Sequence, residues 1–251
     1  MTENIDVIHN WATLYNWEHD PSRCRIARRL SGELFPIELP PVNPLDLLDQ
    51  ARRQQIARIL YQKHGPQIDD KAIAADYIRS LPIDKAAAEP HLHLSLFNLD
   101  PLCAPGGALH AFKRGVFDPI ESLWQEHGLR WKRFLPVLFI TGSASATNYH
   151  IDPDTTFPLH LFGRKRFHSL KRPDHWCPQP IKDEVRSTHR WPIKPACITD
   201  DETLVHENKP GDIVWIPVET PHWVDAGSFS ATITLALTDL HLAEQPVVVG
   251  L

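Results

Sequence analysis

From Phe134 onward the chain is a succession of short apolar segments separated by Gly and Pro, and this pattern restricts the fold more than any other feature. The predicted strands cover 134–142, 145–152, 156–162, 165–170, 203–207, 212–216, 222–226 and 229–238. Short strands with this punctuation form antiparallel barrels or sandwiches. Periodicity therefore predicts a mainly β core.

The first 130 residues have a different pattern, with apolar side chains at helical spacing. The predicted elements there are helices over Leu45–His64, Lys71–Leu81 and Phe117–His127, and one strand over His91–Leu99. Gly65-Pro66 and Pro82 follow the first two helices as stop signals. We expect two regions, a helical or irregular extension over 1–90 packed on a β-barrel domain over 91–251.

A short motif on one predicted strand carries the strongest chemical signal. Alternate residues of a strand project from the same face, so His150 and Asp152 are expected to point the same way while Ile151 faces the core. A third metal ligand is available in His222, after another predicted strand. Two histidines and one carboxylate on one side of a metal leave three positions open, as in non-haem Fe(II) oxygenases.

Chance occurrence is the alternative, because an H-x-D tripeptide by itself is common. Its context favours a site. Lys165 follows at the end of the next apolar run, and residues 209–217 read as a turn, a buried strand and a stop just before His222. The order of ligand pair, basic residue, strand and third ligand predicts a metal centre.

With these residues the chain resembles the JmjC and cupin-8-like 2-oxoglutarate-dependent oxygenases, in particular the branch of the asparaginyl hydroxylases. The matching residues lie within 136–238 and are Thr147, His150, Asp152, Gly163, Lys165, the segment 211–217 and His222. The resemblance implies a double-stranded β-helix, the jelly-roll or cupin-like core, with N-terminal helices. It also implies Fe(II), with 2-oxoglutarate and O2 as cosubstrates, and hydroxylation of a C–H bond.

The resemblance assigns further roles and shows two departures. Lys165 corresponds to the lysine that binds the distal carboxylate of 2-oxoglutarate, and Thr147 to a threonine that helps to hold it. Thr156 stands where the hydroxylases often carry an asparagine, and it can still donate a hydrogen bond. Ala236 replaces an asparagine on the last strand and cannot donate one. A lysine among apolar side chains is costly to bury unless a carboxylate pairs with it, which independently favours an anion at Lys165.

Composition limits the class of protein. The formal charge is −5 and the hydrophobic content 42%, which is ordinary for a globular enzyme and gives no general attraction to nucleic acid. Four widely spaced cysteines, no membrane-length apolar run and an acidic N-terminus without a signal core predict a cytoplasmic protein. The substrate is either a small metabolite or a protein side chain, and the oligomeric state is not readable.

Several features stay open at this level. The segment 171–202 is expected to be an insertion which, with the region of Trp11 and Trp17, covers the barrel mouth and sets substrate choice, or else an ordered surface loop. His91 and His93 form an H-x-H pair that a cupin could use for metal, although a structural role is favoured. Two rival functions remain, a metal cupin acting without 2-oxoglutarate and a non-catalytic binding module.

Overall fold

The computed structural model describes residues 7–8, 11, 28–30, 32–61 and 71–243. In this part of the chain, helical segments precede the main β region, and three more lie within the insertion at 171–202. They are α1 (Pro44–Arg53), α2 (Lys71–Ser80), α3 (Ile83–Ala88), α4 (Asp100–Cys103), a π-helical turn (Lys113–Phe117), α5 (Asp118–Glu126), α6 (Pro173–Trp176), α7 (Gln179–Thr188) and a 3-10 turn (Asp200–Glu202).

The strands fall mainly where the alternation predicts them. They are β1 (Val7–Ile8), β2 (Arg28–Leu30), β3 (Arg58–Tyr61), β4 (Leu92–Leu96), β5 (Leu129–Arg130), β6 (Arg133–Thr141), β7 (Ala146–His150), β8 (Thr155–Phe162), β9 (Lys165–Leu170), β10 (Thr203–Asn208), β11 (Val214–Trp215), β12 (His222–Ala226), β13 (Ser230–Thr238) and β14 (His241–Leu242).

Two antiparallel sheets face each other and form the barrel. The larger has the strand order β3-β4-β6-β13-β8, and the smaller has the order β10-β9-β12-β7. Isolated bridges join β8 to the region of β11, at Thr156 with Ile216 and at Leu159 with Ile213. The consecutive strands from β6 to β9 alternate between the two sheets, and so do β12 and β13, in keeping with the expected jelly-roll core. The mainly β fold is confirmed.

The two faces of the larger sheet have different partners, because side chains alternate along each strand. On β13, Ile233, Leu235 and Leu237 are fully buried in the main apolar core. Helix α5 covers this outer face, where the ring of Trp124 lies 4.8 Å from that of Phe157. The opposite face of the same strands lines a cavity, so the helices stabilise the sheet from outside and leave its inner face for a ligand.

The first predicted helix is too long and must be corrected. Helix α1 begins after Asn43, whose side chain accepts hydrogen bonds from the first-turn amides, and it ends at Arg53. Arg58–Tyr61 is then a strand that pairs with β4. The apolar spacing of this segment fits a helix as well as a strand, and pairing at the edge of the large sheet decides between them. Residues 62–64 of that prediction lie outside the described residues.

The other N-terminal elements agree with their predictions to within a few residues. Helix α2 ends one residue early, and β4 covers the centre of the predicted strand. Helix α5 is preceded by the π-helical turn, so it begins one residue later than predicted. The segment 1–90 supplies β3 to the larger sheet, in addition to the helices α1, α2 and α3.

The insertion between β9 and β10 is confirmed, but much of it is helical. Pro173 and Pro180 lie in the first turns of α6 and α7. Proline is tolerated there because the first amides of a helix have no partner within the helix. Two prolines of the insertion therefore help to begin its helices.

Among the described residues, every helix is too short or too polar to cross a membrane.

Candidate metal centre

His150 and His222 are brought together by the pairing of β7 with β12. The two residues are directly opposite each other in the antiparallel register, with ring centroids 4.0 Å apart. Asp152 lies two residues beyond the end of β7 and turns back toward both. One ligand atom from each of the three side chains lies within 4.8 Å of the others. The three predicted ligands therefore form one cluster.

The backbone fixes which imidazole nitrogen each histidine presents. Nδ1 of His150 lies 2.7 Å from the carbonyl oxygen of Asn148, and Nδ1 of His222 lies 2.9 Å from that of Thr220. A carbonyl oxygen can only accept, so each Nδ1 carries the proton and donates it. Each Nε2 then offers a lone pair, which is the tautomer that metal-binding histidines adopt when a second group orients them.

The Nε2 atoms face the carboxylate across a gap. Nε2 of His150 lies 4.0 Å from Oδ1 of Asp152, and Nε2 of His222 lies 3.7 Å from Oδ2. These separations exceed a hydrogen bond, so neither imidazole is bonded to the carboxylate. An ion bound at about 2.0–2.2 Å from each ligand atom would draw the three groups closer together. Burial, followed by the neighbouring His150, lowers the pKa of His222 to about 4. The imidazole is thus neutral and ready to bind a cation.

Lys165 enters the same cavity from β9. Gly163 makes the turn before it at φ +77°, and a Cβ there would lie 2.2 Å from the carbonyl oxygen of Phe229, so only glycine fits. The Lys165 side chain is 4% exposed, and burial lowers its pKa to about 7. Within the described ranges, no carboxylate lies within 4.0 Å of its ammonium. In the described part of the chain, this buried amine therefore has no carboxylate paired with it.

Thr147 and Thr156 line the cavity as well. Thr147 is opposite Val224 in the pairing of β7 with β12. Thr156 is 4% exposed, and its Oγ1 has no hydrogen-bond partner in the described part of the chain. Ala236 is paired with Thr156 across β13 and β8, so the residue that departs from the hydroxylase pattern also faces the cavity. The buried hydroxyl of Thr156 is free to bind a ligand.

The cavity has a volume of about 360 Å³, which is ample for a small organic molecule beside the metal ligands. Its far wall is the inner face of β3, β4 and β6, where Arg58, His93, Val137 and Phe139 lie. Burial is the main cause of a pKa of about 3 for His93, and the charges of Lys165, Arg58 and His150 lower it further. This wall combines apolar side chains with a neutral imidazole.

The predicted H-x-H pair does not act together. His91 is exposed, with Nδ1 3.1 Å from the carbonyl oxygen of Ala144. His93 is buried and faces the cavity, but it is not part of the metal cluster. His160 is fully buried between the hydroxyl of Thr232 and the carbonyl of Gly163, which is a structural role.

The insertion contributes a residue that sequence reasoning missed. The ring of Trp191 lies 4.8 Å from that of His150, and the indole is 47% exposed at the cavity mouth. Three residues further on, Nζ of Lys194 lies 3.7 Å from the Trp223 ring centroid, on the outer face of the smaller sheet. Arg186 forms a bidentate ion pair with Glu219. These contacts hold the insertion against the barrel beside the metal ligands.

The expectation for the N-terminal tryptophans has a different outcome. Trp11 is buried against Trp124 in the main core, with ring centroids 6.2 Å apart, and it does not line the cavity. Trp17 lies outside the described residues. Arg58 was also missed, because it fell in the segment predicted to be helical. The signal that could have found it was the alternation of Arg58 and Leu60 with Ile59.

No family model and no curated protein matches this chain. The structure of the ribosomal oxygenase YcfD from Escherichia coli is similar over 93% of this chain and 52% of its own, with TM-score 0.49 and 17% identity. The same protein in complex with cobalt and 2-oxoglutarate matches over 80% of this chain and 45% of its own, with TM-score 0.43 and 16% identity.

A cupin superfamily protein from Desulfitobacterium hafniense DCB-2 matches over 44% of this chain and 72% of its own, with TM-score 0.29 and 12% identity. The chain spans about half the length of the ribosomal oxygenase structures. Similarity at this level assigns neither an activity nor a residue role to this chain.

Proposed function

We propose that this protein is an Fe(II)- and 2-oxoglutarate-dependent oxygenase that hydroxylates a C–H bond of a small metabolite or a protein side chain. The observation that carries the proposal is one cavity with two complementary features. At one place it has two histidines and a carboxylate with lone pairs directed at a common point. Elsewhere it has a buried lysine with no described carboxylate partner.

The donor set fits Fe(II). Two imidazoles and one carboxylate on one side of an ion leave the other positions for a chelating cosubstrate and O2. His150, Asp152 and His222 would hold the metal. When bound, the metal supplies O2 activation coupled to oxidative decarboxylation of the keto acid. In the overall reaction, 2-oxoglutarate, O2 and the C–H compound give succinate, CO2 and the hydroxylated product.

The remaining cavity groups fit 2-oxoglutarate. Its distal carboxylate would pair with the Lys165 ammonium, which restores the charged state that burial disfavours. The hydroxyl of Thr156 would donate a hydrogen bond to the bound acid, and Thr147 lies at the same wall. Apolar side chains such as Phe167 and Ile216 exclude water from this region. The chain's own contribution is thus binding, orientation and exclusion of solvent.

A metal cupin that does not use 2-oxoglutarate is the second candidate. The observation favouring it is Ala236, which lines the cavity where the resembling hydroxylases carry an amide. Lys165 and Thr156 favour the first proposal, because a purely metal-chelated substrate needs neither a buried cation nor an unpartnered hydroxyl.

The test is O2-dependent formation of succinate from 2-oxoglutarate by the Fe(II)-loaded protein. Asp152→Ala should abolish succinate formation. Asp154→Asn is the matched control, because it removes a carboxylate from the same loop and cavity without touching the metal cluster. Succinate formation that persists at the wild-type rate in Asp152→Ala would refute the assigned metal site. Metal-dependent O2 consumption without succinate would favour the second candidate.

A further inference from the structure

Arg58 lies at the edge of the cavity on a row of inward-facing side chains. In the strand register, Arg58 is opposite Ser95, Ser95 is opposite Phe139, and Phe139 is opposite Thr232. This row crosses four neighbouring strands of the larger sheet. All four residues line the cavity, and the exposed side chain of Arg58 lies at its edge.

The region around Arg58 is apolar and open. Phe97 follows β4, lines the cavity and is 59% exposed. Trp191 closes the mouth from the insertion and is 47% exposed. Val137 and Leu135 continue the wall along β6. Two exposed aromatic rings and an aliphatic floor are a surface that an apolar or aromatic molecule can cover.

The charges of the cavity leave Arg58 without a partner. Among the described residues, no carboxylate lies within 4.0 Å of Arg58. If the proposed function holds, one carboxylate of 2-oxoglutarate chelates the metal and the other pairs with Lys165. The cosubstrate then neutralises Lys165, and Arg58 remains as a cation beside the apolar wall. Guanidinium groups bind carboxylates and phosphates with two parallel hydrogen bonds.

Among the described residues, Asp154 is the carboxylate that lines the cavity without belonging to the metal cluster. It is the alternative anchor, which would bind a cationic substrate. Asp154 lies only two residues from the metal ligand Asp152, whereas Arg58 lies on the far wall of the cavity, away from the metal cluster.

We propose that the primary substrate is a small organic anion with an apolar or aromatic body, whose acid group binds Arg58 and whose body packs between Phe97 and Trp191. The substrate assignment rests on the proposed oxygenase function. The anion subsite itself depends only on residues of this chain, so it can be measured without turnover.

The experiment uses phenylacetate as the smallest probe that carries both a ring and an acid. Its neutral amide, phenylacetamide, and the amine benzylamine are the matched comparisons. Each is titrated calorimetrically into the full chain loaded with Zn(II) and saturated with 2-oxoglutarate. We expect phenylacetate to bind about tenfold more tightly than phenylacetamide, since one charge-assisted pair at a partly exposed site is the difference.

Two variants separate the parts of the subsite. Arg58→Gln should remove the preference for the acid over the amide, and Arg58→Lys should keep part of it. Trp191→Ala should weaken the binding of phenylacetate and of phenylacetamide equally, by about fivefold. This substitution removes a contact with the ring of the probe and leaves the contact with its charged group. Retention of the acid preference in Arg58→Gln would overturn the assignment.

Two further results would also overturn it. Phenylacetate that competes with 2-oxoglutarate occupies the Lys165 site instead. If benzylamine binds more tightly than phenylacetamide, and if Asp154→Asn removes this difference in affinity, the substrate is a cation. Failure of the oxygenase function is distinct, because it is seen as absent 2-oxoglutarate binding. The probe titrations are then repeated on the metal-free protein, where the Arg58-dependent preference is still expected.

Discussion

The pH dependence of 2-oxoglutarate binding follows from the burial of Lys165. Desolvation lowers the pKa of this amine from an ordinary 10.5 to about 7 in the ligand-free protein. A carboxylate in contact with the ammonium favours the charged form again. Binding therefore takes up a proton whenever Lys165 is neutral beforehand.

The sign follows from these two states. The pKa of Lys165 is depressed in the ligand-free protein and high in the complex. The affinity for 2-oxoglutarate is therefore fully present below about pH 7 and is lost as the pH rises above it. Between pH 7 and pH 9 the association constant should fall about 50-fold, which corresponds to about 2.3 kcal/mol. At pH 8, binding should take up about 0.9 protons for each 2-oxoglutarate.

Calorimetry of the Zn(II)-loaded protein measures both quantities, with proton uptake obtained from buffers that have different ionisation enthalpies. Lys165→Arg is the control, because a guanidinium keeps its charge over this range. The affinity of Lys165→Arg for 2-oxoglutarate should vary much less with pH. Any titration of the metal site affects both proteins alike, so it cancels in the ratio of the wild-type to the variant association constant. A ratio that is constant from pH 7 to pH 9 would refute the role of Lys165.

Three further predictions concern the metal and the scaffold. Asp152→Ala should abolish the rise in Tm that Co(II) gives the wild type, since two histidines bind far more weakly, while its far-UV circular dichroism stays unchanged; an undiminished Co(II) response would exclude Asp152 as a ligand. Gly163→Ala should destabilise the fold by at least about 2 kcal/mol in urea unfolding, because of the positive φ and the clash with Phe229; a neutral effect would contradict the described turn. Arg52→Met should cost roughly 2–3 kcal/mol in the same assay, because Arg52 donates to the buried carbonyls of Ile78 and Leu81; Arg53→Met, on the exposed face of the same helix, is the control.

The barrel strands were predictable because their alternation is enforced by two different environments. On β13, one face enters the apolar core and the other faces a cavity, so apolar residues alternate with Ser, Thr and, at position 236, Ala. The strand over Arg58–Tyr61 was not predictable in this way. It is short and lies at an edge, and its pairing with β4 depends on contacts that local sequence does not contain.

The metal cluster was accessible from sequence because His150 and Asp152 are two positions apart and because a turn and a buried strand precede His222. The contact of His222 with the other two ligands depends on the long-range pairing of β7 with β12. Trp191 and Arg58 were not accessible, because long-range packing brings them to the cavity. Trp191 reaches His150 through an insertion held by Lys194 and Arg186, and neither contact has a sequence signature.

The central claim is that one cavity binds Fe(II) and 2-oxoglutarate together, and an anaerobic titration tests it most directly. Fe(II) is added first to the purified full chain, and 2-oxoglutarate follows while the visible spectrum is recorded. The account predicts a weak charge-transfer band that grows to saturation at one equivalent of 2-oxoglutarate and is absent in Asp152→Ala. Fe(II) binding without that band would contradict the account.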